Sequence, residues 1–464
     1  MASITTDYLV IGCGASAMAF VDVMLAETDA TFTLVDRRDA PGGHWNDAYP
    51  FVRLHQPSAF YGVASRPLGR NRIDQAGPNA GFYELASGSE VLAYFHAVME
   101  ETFLPSGRVD WRPMTEWRDE DGMLVNLLSG ETTQVEICRA LVDGRRIGTE
   151  IPLTYKRNFE VAELVTCIPP NALPRRAAGH RDFVVVGAGK TAMDAALWLL
   201  RRGADPDRIA WIRPRDAWLL NRAAIQPGIE FFDSTLGGVA AQTEIFAEAE
   251  SLEDMELKLE AAGQWLRIDR SRRPEMMHSA VCSEEEVELL RGIRNVLRHG
   301  HVRRIDPGRV VFDDAEAPLP DGALVIDCAA SAATMTGDGP LQVFSPGRID
   351  LEMIRPYQPT FSAALIGHIE ATIPDLEAKR ALARPTPMND TSADWAERRF
   401  TGGLYEAAWS KTEEIDAWVK TCRLNPAAHV GPHIDPTDAS QMAVLGRIGA
   451  AMPQAMQNLP RLFG

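Results

Sequence analysis

The sequence predicts an α/β protein with two nucleotide-binding units in one chain, and two glycine-rich loops are the main reason. The loops G-C-G-A-S-A at 12–17 and G-A-G-K-T-A at 187–192 each follow a short apolar run and lead into an alanine-rich segment of helical pattern. A buried strand, a tight turn and a helix start, in that order, form the site that holds a pyrophosphate. The free N–H groups and the dipole at the helix start favour that anion. We therefore expect two Rossmann-like dinucleotide-binding domains, together with helical substrate and C-terminal elements.

An acid follows the first loop at the spacing that a ribose requires. Asp36 ends the apolar run 32–35 and lies 22 residues beyond Gly14, near the ~20 residues typical of the acid that binds a ribose 2′-hydroxyl. The first site is therefore predicted to hold an adenosine diphosphate group. Its predicted contacts are Gly12, Gly14, Ala15, Ser16, Asp36 and Arg37.

Cations stand at the equivalent place after the second loop. The run 209–212 leads into Arg213 and Arg215, and arginine there suits a 2′-phosphate, which favours NADPH over NADH. The alternative is that both arginines belong to a solvated strand end. A Walker A loop is excluded, because Val184 stands where that motif needs a glycine. The predicted contacts at this site are Gly187, Gly189, Lys190, Thr191, Arg213 and Arg215.

Composition excludes several classes of function. The 464 residues carry a formal net charge of −17, so a nucleic-acid partner is not expected. The six cysteines include no C-x-x-C pair, which argues against a redox dithiol, and we expect no metal site. The sequence shows neither a leader peptide nor an apolar stretch long enough to span a bilayer, so a cytoplasmic protein without a membrane partner is expected. Oligomeric state is left open.

Apolar runs and breakers give a coarse order of elements. Residues 7–36 form a β-α-β unit, 124–128 and 140–143 are expected to return to the first sheet, and a proline-punctuated linker precedes the second unit. A helix is expected at about 192–202, and 243–298 is expected to be mostly helical. The run 323–327 is interpreted as the return of the chain to the first domain. Beyond it lie the apolar run 361–367 and several helices, including 404–419.

The segment P-G-G-H-W at 41–45, the N-terminal loop and the acid ending the second strand together resemble the flavin-containing monooxygenases of class B type. The resemblance covers most of the chain in architecture. It implies FAD in the first domain and NADPH in an inserted second domain, the nicotinamide passing hydride to the flavin. It implies a discontinuous FAD domain at 1–150 and 305–464, a linker at 151–180, and an NADPH domain with a helical insertion at 181–304. The further FAD contacts are Gly43, His44, Trp45, Phe361 and Ser362.

Two departures from that group bear on the reaction. The Baeyer–Villiger fingerprint is absent, since Gly179-His180 lacks the phenylalanine and 400–402 leads to Glu406, so ketone insertion is not expected. The asparagine that the group often keeps near the flavin has no clear counterpart in 53–58. Gln56, His55 and Ser58 are the candidates for groups around the flavin, although His55 also fits a structural histidine. The segment 367–370 either closes over the flavin edge or is a strand end with a helix cap.

The preferred hypothesis is an FAD-containing, NADPH-dependent monooxygenase that uses molecular oxygen and a C4a-peroxyflavin to oxygenate a small molecule. One alternative is an NADPH-dependent flavin reductase or dehydrogenase without oxygen insertion. Another is a nucleotide-binding sensor without turnover. No Ser-His-Asp order or metal cluster stands out, so the reactive chemistry is assigned to the flavin.

Overall fold

The computed structural model describes residues 2–331, 334–335 and 341–464, and it is an α/β fold with two main sheets. The strands are β1 Ala2–Ile11, β2 Phe32–Val35, β3 Val109–Arg112, β4 Thr115–Arg118, β5 Met123–Asn126, β6 Thr132–Asp143, β7 Ile147–Gly148, β8 Glu160–Val161, β9 Cys167–Ile168, β10 Phe183–Val186, β11 Ile209–Ile212, β12 Trp218–Asn221, β13 Trp265–Arg267, β14 Val281–Cys282, β15 Val296–Leu297, β16 Arg304–Asp306, β17 Arg309–Val311, β18 Glu316–Pro318, β19 Leu324–Asp327, β20 Thr334–Met335, β21 Phe344–Ser345 and β22 Arg348–Asp350. The helices are α1 Ala15–Glu27, α2 Gly88–Val98, α3 Leu173–Arg176, α4 Lys190–Arg201, α5 Phe232–Glu248, α6 Leu252–Ala261, α7 Glu284–Arg291, α8 Pro359–Thr372, α9 Leu376–Leu382, α10 Ser392–Trp409, α11 Glu413–Thr421, α12 Ala427–Val430 and α13 Ala439–Phe463.

The first sheet places the first glycine loop at the carboxyl end of a central strand. Its order is β21-β22-β6-β1-β2-β3, and the core from β22 to β3 is parallel. The hairpin β4–β5 joins β6, which confirms that the runs 124–128 and 140–143 return to this sheet. Helix α8 packs against α1, where a Cβ on Gly367 would lie 3.1 Å from the carbonyl oxygen of Phe20. This close approach fixes both helices against one face of the sheet.

The second sheet is parallel throughout, in the order β15-β11-β10-β19-β9. Strand β10 is buried at every position, as expected for a parallel strand covered on both faces. The expectation that 323–327 returns to the first domain is wrong, because Val325 of β19 pairs with Val184 of β10 and with Cys167 of β9. A continuous apolar run indicates that a strand is buried, but it does not indicate which sheet the strand joins.

Smaller sheets and helices surround these two. Strands β12, β13 and β14 form one sheet and β8, β16, β17 and β18 another, while β7 pairs with β20. Three tryptophans join the first of them to the C-terminal helices, since Trp265 packs on Trp218 and Trp395 with ring centroids 5.4 and 4.8 Å apart. The insertion is therefore built on the same core as α10 and α13.

Two expectations for the C-terminal part are corrected. The segment 367–370 is not a strand end with a helix cap, because it lies inside α8 together with the apolar run 361–367 that precedes it. The residues of the run 361–367 are buried on every side. A helix and a strand that are both fully buried give the same continuous apolar run. The helix expected at 404–419 is divided at 410–412 between α10 and α11. Of 243–298, α5, α6 and α7 are helical as predicted, but β13, β14 and β15 interrupt them. Within the described ranges, no helix combines the length and the apolar character that crossing a bilayer needs.

Candidate functional site

The first glycine loop is a turn that leaves the start of α1 free. Gly12 has a φ of +90°, a region that disfavours side chains, and its N–H donates to the carbonyl oxygen of Val35. Gly14 is the N-cap of α1, and neither a side-chain cap nor an acid in the first turn occupies that helix start. The amides of Ala15 and Ser16 find no acceptor among the described residues. A helix start of this kind binds phosphate well.

The glycine pair at 42–43 lies directly against this turn. The N–H of Gly42 donates to the carbonyl oxygen of Cys13 at 2.8 Å. Gly43 has a φ of +57°, and a Cβ there would lie 2.9 Å from the Cα of Gly14. Only glycine lets the two backbones meet so closely. The segment predicted to lie along FAD is thus part of the wall of the first loop.

The residues after the glycine pair are buried around the same wall. Trp45 donates its indole N–H to the Tyr61 hydroxyl at 2.8 Å, and its ring stacks on His44 at 5.4 Å. Burial and the nearby Arg38 cation lower the pKa of His44 to about 4. His44 is therefore neutral at pH 7 and serves as a hydrogen-bonding or stacking group.

Asp36 holds the turn together from the end of β2. One carboxylate oxygen accepts from the N–H of Cys13 at 2.8 Å, and the other accepts from the N–H of Arg38 at 2.9 Å. Each oxygen keeps a lone pair for a ribose hydroxyl. Arg37 is exposed beside it. The acid therefore stands at the edge of the loop, as the spacing predicts.

The second glycine loop has the same turn with more open surroundings. A Cβ on Gly187, which has a φ of +131°, would lie 2.5 Å from the carbonyl oxygen of Cys328, so this turn requires glycine. Gly189 faces open space, with no atom within 4 Å of an added Cβ. It is the N-cap of α4, again without a side-chain cap. The amides of Lys190 and Thr191 have no acceptor among the described residues.

Lys190 connects the two loops through a contact that the sequence did not predict. Its ammonium pairs with Asp194 one turn along α4, and the other oxygen of that carboxylate accepts from the Tyr49 hydroxyl at 2.7 Å. Tyr49 follows the glycine pair of the first unit. Burial lowers the pKa of Lys190, but Asp194 outweighs it and the pKa stays above its ordinary value. The cation of the second loop is thus linked, through Asp194, to a residue that borders the first.

The same face of α4 carries a second contact to this segment. Phe51 packs on Trp198, with ring centroids 5.7 Å apart, and Trp198 lies one turn beyond Asp194. The side chain of Asn171 also donates to the carbonyl oxygen of Asp47 at 2.9 Å. Residues 47–51 therefore form the bridge between the two units.

The two arginines predicted to bind a 2′-phosphate are both engaged within the chain. Arg213 is buried, stacks on the Trp211 ring at 4.8 Å and pairs with Asp216. Burial lowers its pKa to about 10. Arg215 forms a two-pronged pair with Asp390 at 2.6 and 2.7 Å. A 2′-phosphate would have to share these cations with carboxylates.

The three candidates around the flavin have different surroundings. Burial, together with the cations Lys190 and Arg222, lowers the pKa of His55 to about 3, so it is neutral at pH 7. The Ser58 hydroxyl donates to the carbonyl oxygen of Glu84 at 3.0 Å and accepts from the N–H of Ala86 at 2.8 Å. Its hydrogen bonds are thus used by the backbone. The half-buried Gln56 has no side-chain hydrogen bond among the described residues.

Phe361 and Ser362 lie at the start of α8. Phe361 is fully buried beneath the Arg355 guanidinium, which is 4.1 Å from its ring centroid. The Ser362 oxygen accepts from the N–H groups of Ile354 and Arg355 at 3.2 and 3.1 Å. Both residues therefore shape the segment that leads into α8. Arg355, which the sequence analysis missed, is the charged group of this region.

Comparison with curated proteins gives close relatives. The chain is 43% identical over 431 residues to uncharacterized proteins of Mycobacterium bovis and Mycobacterium tuberculosis, which covers 93% of this chain and 79% of each relative. The chain belongs to the family of these mycobacterial proteins. No protein-family model matches the sequence.

Solved structures give more distant similarities. A mutant flavin monooxygenase from Stenotrophomonas maltophilia is 13% identical with a TM-score of 0.47, and the match covers 81% of this chain and 100% of that chain. An oxidized steroid monooxygenase bound to NADP is 12% identical with a TM-score of 0.46, covering 98% of this chain and 99% of that chain. A bacillithiol disulfide reductase from Bacillus cereus is 12% identical with a TM-score of 0.37, covering 71% of this chain and 78% of that one.

Proposed function

We propose that this protein is an FAD-containing, NADPH-dependent monooxygenase of a small molecule. The observation that carries the proposal is the pair of uncapped helix starts, each behind a glycine turn at the carboxyl end of a parallel strand, joined by the Tyr49–Asp194–Lys190 contact. Two such loops are suited to two dinucleotides. Their connection through residues 47–51 suits cofactors that must exchange a hydride.

The residues of the first loop fit a flavin dinucleotide. The amides of Ala15 and Ser16 would bind its pyrophosphate, and the carboxylate of Asp36 would bind its ribose. The meeting of Gly14 and Gly43 leaves a side-chain-free wall along which an extended cofactor can lie. FAD bound here would supply the electron acceptor and the centre that activates oxygen.

The residues of the second loop fit a nicotinamide dinucleotide. Gly189 leaves open space in front of α4, and Lys190 and Thr191 present free amides there. The ammonium of Lys190 would add a charge-assisted contact to the pyrophosphate. Arg213 and Arg215 would provide the 2′-phosphate contacts, which is the basis for NADPH rather than NADH.

The chain contributes polar groups and water exclusion around the flavin. Trp45, Tyr61 and His44 form a buried aromatic wall. His55 is neutral at pH 7, so it can exchange a hydrogen bond without adding a charge. Gln56 is the remaining amide donor, and a donor held in a dry pocket slows the loss of peroxide to water.

Rapid mixing of the reduced protein with oxygen tests the oxygenation step. We expect a transient near-ultraviolet absorbance before the oxidised flavin spectrum returns. Gln56→Leu should shorten this transient and raise peroxide release while flavin content stays unchanged. Reoxidation in one phase with stoichiometric hydrogen peroxide, whichever small molecules are added, would contradict a monooxygenase.

One observation favours a second candidate, an NADPH-dependent flavin reductase. The Ser58 hydroxyl is fully engaged with the backbone of Glu84 and Ala86, so it would not be free to stabilise an oxygen adduct. The single-phase outcome above would select this candidate. A protein that is purified without any bound flavin and does not take up added FAD would instead select a nucleotide sensor without turnover.

A further inference from the structure

The segment Met353–Gln358, which leads into α8, is surrounded by hydrogen-bond donors that lack acceptors. The Arg355 Nε is buried without a partner. So is the hydroxyl of Thr386, whose residue is 1% exposed. Buried polar groups are normally paired, and an unpaired one calls for an explanation such as a missing ligand.

These donors come from separate parts of the chain and meet at one segment. The N–H of Thr386 donates to the carbonyl oxygen of Met353 at 2.6 Å. Burial raises the pKa of Tyr357, and a hydrogen bond from the Ser279 side chain to its hydroxyl partly opposes that rise. The segment 353–358 is therefore lined by the insertion on one side and by 386–389 on another.

Backbone strain marks the same place. Tyr357 has a φ of +59° and its neighbour Ser279 has a φ of +54°, and neither is a glycine. The Tyr357 hydroxyl donates to the side chain of Asn389, which donates in turn to the carbonyl oxygen of Met277. Strained residues of this kind concentrate at binding and catalytic sites.

One face of α10 completes the arrangement. Arg399, Gly402 and Glu406 follow each other at about one turn. Glu406 pairs with Arg355 at 3.0 Å, whereas Arg399 forms no ion pair within 4.0 Å in the part of the chain that the structure describes and feels Glu406 only at longer range. Its guanidinium lies over the Trp395 ring, 5.8 Å from the centroid. Between the two charged residues, a Cβ on Gly402 would meet no atom within 4 Å.

Glycine inside a helix costs stability, and no packing contact at Gly402 requires it. Desolvation lowers the pKa of Arg399, and the charge of Glu406 opposes that shift. Arg355 links this face of α10 to the segment 353–358, because it belongs to that segment and pairs with Glu406.

We propose that Arg399, the open space at Gly402 and the unpaired donors around residues 353–358 form the binding site for a small organic anion, and that its carboxylate pairs with Arg399. The guanidinium fork matches a carboxylate in two-pronged geometry. Hydrogen-bond donors that lack acceptors in the protein favour a ligand that carries several acceptor atoms. The proposal rests on the proposed function only in taking this anion to be the substrate.

The net charge of −17 bears on where an anion can bind. The overall field repels anions, so a carboxylate binds only where local cations outweigh it. The site has that character, because two cations, Arg355 and Arg399, act on the same carboxylate, Glu406.

Calorimetric titration of the purified protein with sodium benzoate tests the site, with benzamide as its uncharged counterpart. We expect saturable benzoate binding with a Kd below about 1 mM and benzamide binding at least about 10-fold weaker. Arg399→Gln should weaken benzoate binding about 10-fold, and Arg399→Lys should restore part of it.

Two further variants separate a binding role from a structural one. Gly402→Leu fills the open space and should abolish benzoate binding while the thermal midpoint is kept or raised, since leucine is the better helix former. Arg384→Gln removes the same charge from an exposed arginine near Tyr405 and should leave benzoate binding unchanged.

Equal affinity for benzoate and benzamide would overturn the proposal. So would an unchanged benzoate affinity in Arg399→Gln, or the absence of benzoate binding to the unaltered protein. Flavin content and NADPH oxidation, measured on the same samples, report separately on the proposed function. A protein without flavin that still binds benzoate through Arg399 would leave the anion site standing and remove only its role in the reaction.

Discussion

At the first glycine loop the chain itself closes over the turn, whereas the space in front of the second loop is open. A Cβ on Gly14 would lie 3.7 Å from the Cα of Gly43, but a Cβ on Gly189 would meet nothing within 4 Å. The first loop is also tied to Asp36 and to Gly42 by hydrogen bonds of 2.8 Å. We infer that the first loop is built to retain a cofactor and the second to exchange one.

The charges at the two loops also agree with a first loop that retains its cofactor and a second loop that exchanges one. The carboxylate of Asp36 bonds to the first turn. The second turn carries the cation Lys190, which pairs with Asp194, and Asp194 also accepts from the Tyr49 hydroxyl. A dinucleotide that enters the second site must compete with Asp194 for this cation. Under the proposed function, this competition would weaken binding at the second site and suit a cofactor that leaves after each turnover.

Valine at the N-cap glycine of each loop should give the largest and most selective effects. Gly14→Val places methyl groups where the pyrophosphate and Gly43 approach, so we expect flavin content below about one tenth of the unaltered protein. Gly189→Val should retain the flavin and abolish its reduction by NADPH. Absorbance of the purified variants, with circular dichroism to check folding, measures both. Flavin loss in Gly189→Val, or normal flavin content in a folded Gly14→Val, would reverse the assignment of the two loops.

Substitutions within the Lys190–Asp194 pair should act in opposite directions. Lys190→Met removes a charged contact and should weaken NADPH binding about 10-fold or more. Asp194→Asn frees the ammonium and should tighten binding several-fold. The dissociation constants can be obtained by fluorescence titration. If Asp194→Asn weakens binding as Lys190→Met does, Asp194 positions the lysine and does not compete with the cofactor.

Loss of the two arginines after β11 should change cofactor preference by a moderate factor. Arg215→Ala should lower the kcat/KM ratio of NADPH to NADH about 5-fold, and the double variant with Arg213→Ala about 10-fold. The single variant is the cleaner probe, because Arg213 is buried against Trp211. An equal loss with both cofactors would indicate that these arginines serve only their pairs with Asp216 and Asp390.

The buried histidines should produce a smaller, pH-dependent effect on stability. The pKa of His55 falls from 6.5 to about 3 on folding, so the unfolded chain binds a proton that the folded chain does not in this window. Stability should therefore fall as pH is lowered from 6.5 towards 3. His55→Gln should reduce this slope, as seen in thermal midpoints measured across the range. An unchanged slope would show that His55 is protonated in the folded protein.

The elements around the loops were predictable because parallel strands covered on both faces are continuous apolar runs. The runs 32–35, 183–186 and 209–212 coincide with β2, β10 and β11. The same property misled the sequence analysis elsewhere. Nothing in the sequence of residues 323–327 indicates which sheet they join. The strand end considered for 367–370 was suggested by the preceding apolar run, which is a buried helix.

The link between the two loops could not be predicted, because it depends on residues far apart in the chain. Tyr49 and Asp194 are separated by 145 positions, and each looks locally like an ordinary polar residue. The pairing of Arg213 and Arg215 with carboxylates likewise depends on the tertiary structure and could not be read from the sequence. The glycine loops were found because their spacing is local and dictated by the turn itself.

Anaerobic titration with NADPH tests most directly the claim that one loop retains a flavin and the other delivers hydride to it. We expect the purified protein to carry about one FAD per chain, and NADPH to bleach its visible absorbance at about one equivalent. Gly189→Val should carry the same flavin and resist bleaching. A protein with no flavin, or one whose bound flavin stays oxidised in excess NADPH, would contradict the account.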